Sequence, residues 1–253
     1  MMTIISLLLL ASLLPHLTFT ARVNVGIVNG REAKPHSRPY MVSVQVKKQH
    51  ICGGFLISDT FVMTAAHCRN KTLNLTVVLG AHDLKKSENS VRYTVVSYHQ
   101  HPDYTMGSFH NDILLLKIEK LRLNDKIKSI SIPEKGSDIE AGSVCSVAGW
   151  GRTETKVKGS DVLMETDVKV INNMECESKW GKKHFSTSQM MCVHGDGGSC
   201  DGDSGGPLVC GDSAVGVTSF GHPDLCNSLE KPEVYIKISA YLPWIKSIIG
   251  NVK

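Results

Sequence analysis

The 253 residues give ample chain for one continuous core, or for one domain built of two barrels. The net charge of +4 is mild, and its lysines fall in small groups such as Lys47-Lys48, Lys85-Lys86 and Lys182-Lys183. No aromatics interleave with them as in a nucleic-acid binder, so that partner class is excluded and most of these charges read as solvated surface.

In chain order, residues 1–20 carry an apolar core, Ile4 to Leu14, too short to span a bilayer comfortably and followed by small residues. This reads as a secretory signal peptide, although its only positive charge is the amino terminus. No later stretch is apolar enough to cross a membrane, so the mature chain is expected to be secreted and to have no membrane partner. Met41 to Val46, Leu75 to Leu79 and Arg92 to Val96 alternate with the period of half-buried strands. Ile113 to Ile118 is a nearly continuous apolar strand, and Leu208 to Cys210 with Ala214 to Ser219 reads as a hairpin around Gly211-Asp212. Turn residues separate these runs, as an all-β barrel or sandwich requires. Only the end looks helical: Tyr241 to Ile249 places Leu242, Ile245, Ile248 and Ile249 on one face, with Pro243 in the first turn and Gly250 after it.

The eight cysteines favour an even set of disulfides in a secreted chain, but the sequence alone leaves their pairing open. Zinc ligation is not indicated, because there is no short Cys-x-x-Cys spacing. His99 and His101 share a strand face without a third ligand nearby, so no metal and no cofactor are expected. Asn70-Lys71-Thr72 and Asn74-Leu75-Thr76 are glycosylation acceptors, Asn70 and Asn74 being the candidate positions.

Three segments carry the chemistry. Gly202-Asp203-Ser204-Gly205-Gly206-Pro207 sets a serine among glycines, where its hydroxyl and the neighbouring backbone N–H groups can reach a substrate. Thr64-Ala65-Ala66-His67-Cys68 and Asn111-Asp112-Ile113 supply a base and a carboxylate to orient it. In this order, with similarity running from Ile27 to the C-terminal helix, the chain resembles the chymotrypsin-fold serine proteases. The resemblance implies two antiparallel six-stranded barrels, at about 27–135 and 142–240, with a helix at about 241–249. His67 and Asp112 would come from the first barrel and Ser204 from the second, leaving the site in the crevice between them. Disulfides are implied for Cys52 with Cys68, Cys145 with Cys210, Cys176 with Cys192, and Cys200 with Cys226. Each would be worth on the order of 3 to 4 kcal/mol through the unfolded chain.

By the same resemblance Ser204 attacks a peptide carbonyl, His67 takes and returns the proton, and Asp112 orients the imidazole. The N–H groups of Gly202 and Ser204 form the oxyanion hole. Ile27-Val28-Asn29-Gly30 resembles the family's mature N-terminus, whose freed ammonium pairs with the aspartate before the catalytic serine, here Ile27 with Asp203. That partner would raise the amine pKa above roughly 8, favouring the active form below this value and losing it as the pH rises through it. Residues 21–26 would then be an activation propeptide of a zymogen, and 27–253 the protease domain. Gly26 before the cut is neither Arg nor Lys, which resembles the granule-protease branch (granzymes, mast-cell proteases, duodenase, cathepsin G). There a dipeptidyl aminopeptidase trims the propeptide.

For the pocket that takes the residue before the scissile bond (P1), Gly198 stands where trypsins carry an aspartate, which excludes a simple trypsin pocket. Glu233 falls on the wall where trypsins have glycine, and a carboxylate there could accept Lys or Arg. With Gly198 leaving room below, Phe, Tyr, Leu or Met could also enter, a dual specificity. The alternatives are a strictly chymase-like pocket, with Glu233 turned away, or a non-catalytic heparin-binding or antimicrobial member of the fold. Ser199, Ser219, Phe220 and Gly221 would complete the pocket and bind substrate backbone, Phe109 would cover the neighbouring subsite, and Asp201 at the mouth would favour basic residues. The expected partners are protein or peptide substrates, the activating protease, serpin-type inhibitors and anionic proteoglycan. The calcium-loop position near Gly80-Ala81-His82-Asp83 lacks the family's glutamate. Storage in granules is compatible with this reading, and with every cysteine paired internally the protein is expected to be a monomer.

Overall fold

A computed structural model describes residues 27–86, 89–134, 137–154 and 158–251. The expected signal peptide, residues 21–26 including Gly26, and Lys135 lie outside the described residues. The alternating segments form strands close to where their periodicity places them. In chain order these are β1 (Arg31–Glu32), β2 (Met41–Val46), β3 (Gln49–Leu56), β4 (Phe61–Thr64), β5 (Thr76–Leu79), β6 (Val91–Thr94), β7 (Ser97–Gln100) and β8 (Leu114–Lys117). The second half adds β9 (Val144–Gly149), β10 (Met164–Val170), α1 (Asn173–Trp180), β11 (Met190–His194), β12 (Pro207–Cys210), β13 (Ser213–Phe220), β14 (Glu233–Lys237) and α2 (Leu242–Asn251).

Two antiparallel sheets result. The first runs β6-β5-β2-β3-β4-β8-β7. The second runs β1-β10-β11-β14-β13-β12-β9, and a further β10–β9 pairing closes six of its strands into a ring with β1 added outside. Closure removes the free edges that would otherwise template aggregation. Each barrel is filled by its inward residues: Val42, Phe55, Phe61 and Leu115 are buried in the first, Val147, Met191, Leu208 and Tyr235 in the second. The start of the chain belongs to the second barrel, where Ile27 is fully buried and Arg31 pairs with Glu165.

The C-terminal helix begins after a single 3-10 turn, Ile238–Tyr241, and buries Leu242 and Ile245 against the core. Pro243 sits in the first turn, where its missing N–H costs nothing. A second helix, α1, departs from the expectation that only the end is helical. Its sole buried residue is Cys176, so it has no apolar stripe to read. Local caps define it instead: Asn172 accepts from the Met174 N–H at 2.8 Å, and Gly181 closes it with φ 79°. The eight cysteines come together as Cys52–Cys68, Cys145–Cys210, Cys176–Cys192 and Cys200–Cys226. The third of these ties α1 to β11.

Candidate active site

His67 lies in a one-turn 3-10 helix, Ala66–Cys68, just after β4, and Asp112 two residues before β8. Because β4 and β8 pair directly, the two meet. The Asp112 carboxylate is fully buried, with Oδ1 accepting the His67 backbone N–H at 2.8 Å and Oδ2 facing His67 Nδ1 at 2.7 Å. Ser219 Oγ also donates to Oδ2, at 2.6 Å. These three donors leave the carboxylate fully engaged, hold the ring orientation and place the Nδ1 proton on the aspartate side.

Ser204 arrives from the second barrel on the loop before β12. The Gly53 N–H of β3 donates to its carbonyl at 2.9 Å, which stitches the loop across the crevice. Ser204 and His67 face the same cavity of about 420 Å³. No hydrogen bond joins their side chains among the described residues, a common state of a serine–histidine arrangement of this kind before substrate closes the geometry.

Beside Ser204, Gly202 adopts φ +97°, and a Cβ there would sit 3.0 Å from the Gly151 Cα, so only glycine fits. Both flanking carbonyls are held. The Arg152 N–H donates to the Asp201 carbonyl at 2.8 Å, which fixes the plane of the peptide carrying the Gly202 N–H. His50 Nε2 lies 2.9 Å from the Gly202 carbonyl. Asp203, next along, is buried and accepts from the N–H groups of Gly151 (2.8 Å) and Cys200 (3.0 Å). Burial pushes its carboxyl up to about 7, with Glu233 and Asp201 adding to the rise.

The pocket opens behind Ser204. Ser199, Ser219, Phe220, Gly221 and Glu233 line it, with Asp201 at its mouth. Glu233 is only 6% exposed. Its Oε2 accepts from the Ser199 N–H (2.8 Å), the Ser199 hydroxyl (2.7 Å) and the Tyr235 hydroxyl (3.1 Å), while Oε1 has no partner among the described residues. Burial pushes this carboxyl up to about 7 against those donors. Gly198 is held by Val28 on either side of its peptide, and a Cβ there would collide with the Glu233 carboxylate. The space that Gly198 leaves is therefore filled by Glu233 rather than left open below the pocket.

Phe109, at φ +56°, stands edge-on to His67 at 5.7 Å and 5.2 Å from Phe220. Asp201 is exposed and paired with Arg152 Nη1 at 3.1 Å, which offsets part of its charge at the mouth. Asn70 and Asn74 are exposed; Asn70 Oδ1 accepts from the Thr72 hydroxyl at 2.7 Å. Cys52, His67 and Cys68 bring ligand-type atoms close together, but the two sulfurs are bonded to each other and neither is a thiolate. His99 and His101 pack instead, the first against Phe61 and Ser97, the second against Tyr241 and Trp244.

Several contributors to the site lie outside the motifs that mark it in the sequence. Tyr235 follows Glu233 by two residues on β14 and so shares its face, a signal that was available. Trp180 walls the cavity, T-shaped against Phe220 at 4.9 Å, and comes from the unforeseen α1. His50 and Arg152 reach Gly202 and Asp201 across long stretches of chain that no local pattern connects.

A carboxylate-held histidine, a half-buried serine facing it in a crevice between two barrels and a glycine loop beside it are the arrangement of a serine protease. The Trypsin family model matches residues 27–245. Granzyme B(G,H) of Mus musculus is 40% identical over 94% of this chain and 98% of that protein, and Duodenase-1 of Bos taurus is 40% identical over 90% of each. Cathepsin G of Homo sapiens is 37% identical over 98% of this chain and 95% of its own. A solved structure of neuropsin, a serine protease expressed in the limbic system of mouse brain, superposes with a TM-score of 0.80 at 35% identity, covering 88% of this chain and all of that one. The chain belongs to the trypsin family of serine endopeptidases. Within it, the chain is of the granzyme and cathepsin G type.

Proposed function

We propose that this protein is a secreted, granule-stored endopeptidase that cleaves after Lys or Arg and also after Phe, Tyr, Leu or Met. Ser204 is the nucleophile, His67 the general base and acid, Asp112 its orienter, and the N–H groups of Gly202 and Ser204 the oxyanion hole. Attack by Ser204 Oγ forms an acyl-enzyme and releases the amine with a proton from His67; water, deprotonated by His67, then frees the acid. Removal of residues 1–26 in two steps, with a dipeptidyl aminopeptidase completing the second, exposes the Ile27 ammonium to pair with Asp203. That charge would pull the Asp203 carboxyl back down from its raised value. Serpin-type inhibitors and anionic proteoglycan are the further partners of this reading, with glycans at Asn70 and Asn74.

The unpartnered Oε1 of Glu233 in the pocket carries the specificity. A buried carboxylate oxygen without a donor is costly, and a P1 ammonium or guanidinium supplies one, worth about 1.5 to 3 kcal/mol when charged. Without a cation the carboxyl takes a proton and the pocket admits apolar side chains past Phe220 and Ser219. A P1 profile on fluorogenic peptides, with the chain starting at Ile27 and with Ser204→Ala and Glu233→Gly beside it, tests this. Cleavage after Lys and Arg that Glu233→Gly selectively loses is expected. Cleavage only after Phe, Tyr, Leu or Met in the parent chain would leave a chymase-like enzyme, and activity equal to Ser204→Ala would end the protease reading.

A further inference from the structure

Behind Gly202 runs a continuous series of hydrogen bonds whose direction is dictated from its far end. Arg92 on β6 donates through Nη1 to Thr76 Oγ1 (2.7 Å) and through Nη2 to Gln45 Oε1 (2.7 Å). A guanidinium has no acceptor and keeps its proton, so the Gln45 amide can present only its oxygen to it. The Gln45 NH2 then points at Ser43 Oγ, 2.9 Å away on the same strand face. With its oxygen accepting, the Ser43 hydroxyl is turned to donate to His50 Nδ1 at 2.8 Å. Nδ1 must be unprotonated to accept, and the ring proton therefore sits on Nε2, which gives it to the Gly202 carbonyl.

We propose that Arg92 and Gln45 are positioning residues for the oxyanion hole: they hold His50 in the Nε2–H tautomer, and His50 in turn pins the Gly202–Asp203 peptide, which lies between the Gly202 and Ser204 N–H groups. This rests on the reading of Gly202 as an oxyanion donor. Ser43 is fully buried and Gln45 is 3% exposed, so water does not stand in for either of them, while Arg92 is exposed at the outer end of the series. Burial also keeps the His50 pKa below its ordinary value, which maintains a neutral ring with one donor and one acceptor. His50 packs edge-on to Trp150 at 5.8 Å, leaving proton placement as the freedom that the series controls. In the opposite tautomer a nitrogen lone pair would face the Gly202 carbonyl oxygen, and a glycine at positive φ yields by turning its peptide.

Gln45→Glu is the decisive variant. The carboxylate keeps Arg92 as a partner but has no N–H for Ser43, so the hydroxyl turns toward it and His50 must carry its proton on Nδ1. Nitrogen NMR of the His50 ring, in the chain starting at Ile27, is expected to show that tautomer change. A drop in kcat of about tenfold to a hundredfold should accompany it, a fraction of what loss of a whole oxyanion donor costs, with KM and the ratio of P1 Lys to P1 Phe cleavage unchanged. Arg92→Met should move both readouts the same way by less, and Arg92→Lys should restore them, because lysine also only donates. An unchanged tautomer in Gln45→Glu, or a changed tautomer with parental kcat, would overturn the proposal. Should Gln45→Glu fail to fold, the Arg92 pair decides: equal kcat and equal His50 spectra in the Met and Lys variants overturn it. A parental chain that hydrolyses nothing would instead remove the protease reading, while the tautomer measurement still decides whether Arg92 and Gln45 set the His50 proton.

Discussion

Asp112 and Glu233 are both buried carboxylates beside one cleft, Glu233 lining it and Asp112 lying behind His67 and Ser219, and they differ in how their oxygens are satisfied. Asp112 has donors on both oxygens, from the His67 backbone, the His67 ring and Ser219. Glu233 has three donors crowded on Oε2 and none on Oε1. A carboxylate with donors on both oxygens is a fixed part that orients a neighbour. A half-satisfied one is poised between taking a proton and taking a cation from outside. On the proposed function the first would belong to machinery that every substrate uses and the second to selection among substrates, so breaking each should leave a different kinetic signature.

The largest effect should come from Asp112→Asn. The amide preserves shape but turns an N–H toward His67 or Ser219 and no longer favours the proton on Nδ1. In the triad this family uses, such a change lowers kcat by about 10⁴-fold. Single-turnover hydrolysis of P1 Lys and P1 Phe peptides should show the same loss for both. A loss confined to one class would mean that Asp112 is not common machinery.

Glu233→Gln should act on the ratio alone. With its carboxyl pushed up to about 7, free Glu233 is neutral below that pH and ionised above it. The ratio of kcat/KM for P1 Lys over P1 Phe is therefore expected to rise as the pH increases through about 7, by tenfold or more if a charged hydrogen bond of about 1.5 to 3 kcal/mol is gained. Titrations shared by both substrates, including those of Asp203 and the Ile27 amine, cancel in the ratio. Glu233→Gln should give a low ratio that is flat with pH; a flat ratio in the parent chain would contradict the poised carboxyl. Stability follows the opposite course. A carboxyl whose folded pKa is raised contributes stability that is present below its unfolded value and lost as the pH rises through about 7. Chemical denaturation of Glu233→Gln should therefore lose part of the decline in stability between about pH 4.5 and 7.

The same contrast marks what the sequence makes legible. The segments around His67, Asp112 and Ser204 can be read because their chemistry lies in short, contiguous motifs, and β2 or the β12–β13 hairpin because alternation is a local property. The direction of the Glu233 side chain is not local. It depends on Ser199, 34 positions away in sequence, and on the gap left by Gly198. Arg152 beside Asp201 and His50 beside Gly202 are hidden for the same reason, as is α1, whose caps are visible in Asn172 and Gly181 while its apolar face is not. Tyr235 shows the boundary: a period-two step from Glu233 on one strand puts it on the same face, yet nothing local marks it as a partner of that carboxylate.

Ser219 links the two regions and should show the smallest effect. Its hydroxyl lies on the pocket wall but spends its hydrogen bond on Asp112 Oδ2 at 2.6 Å, not on the substrate side chain. Removing it by Ser219→Ala leaves Oδ2 with the His67 ring alone and the other carboxylate oxygen untouched, so the imidazole is still oriented. Stability should fall by about 1 to 3 kcal/mol, the range for losing a donor to a buried charge. Because most of that loss is felt equally with and without substrate, kcat should fall only about threefold to tenfold, a minor share of that energy. The P1 Lys to P1 Phe ratio should stay where it was, since neither oxygen of Glu233 contacts this hydroxyl. If instead Ser219→Ala shifted the ratio while sparing kcat, Ser219 would belong to selection, and the division between a satisfied carboxylate for catalysis and a poised one for specificity would not hold at the residue they border.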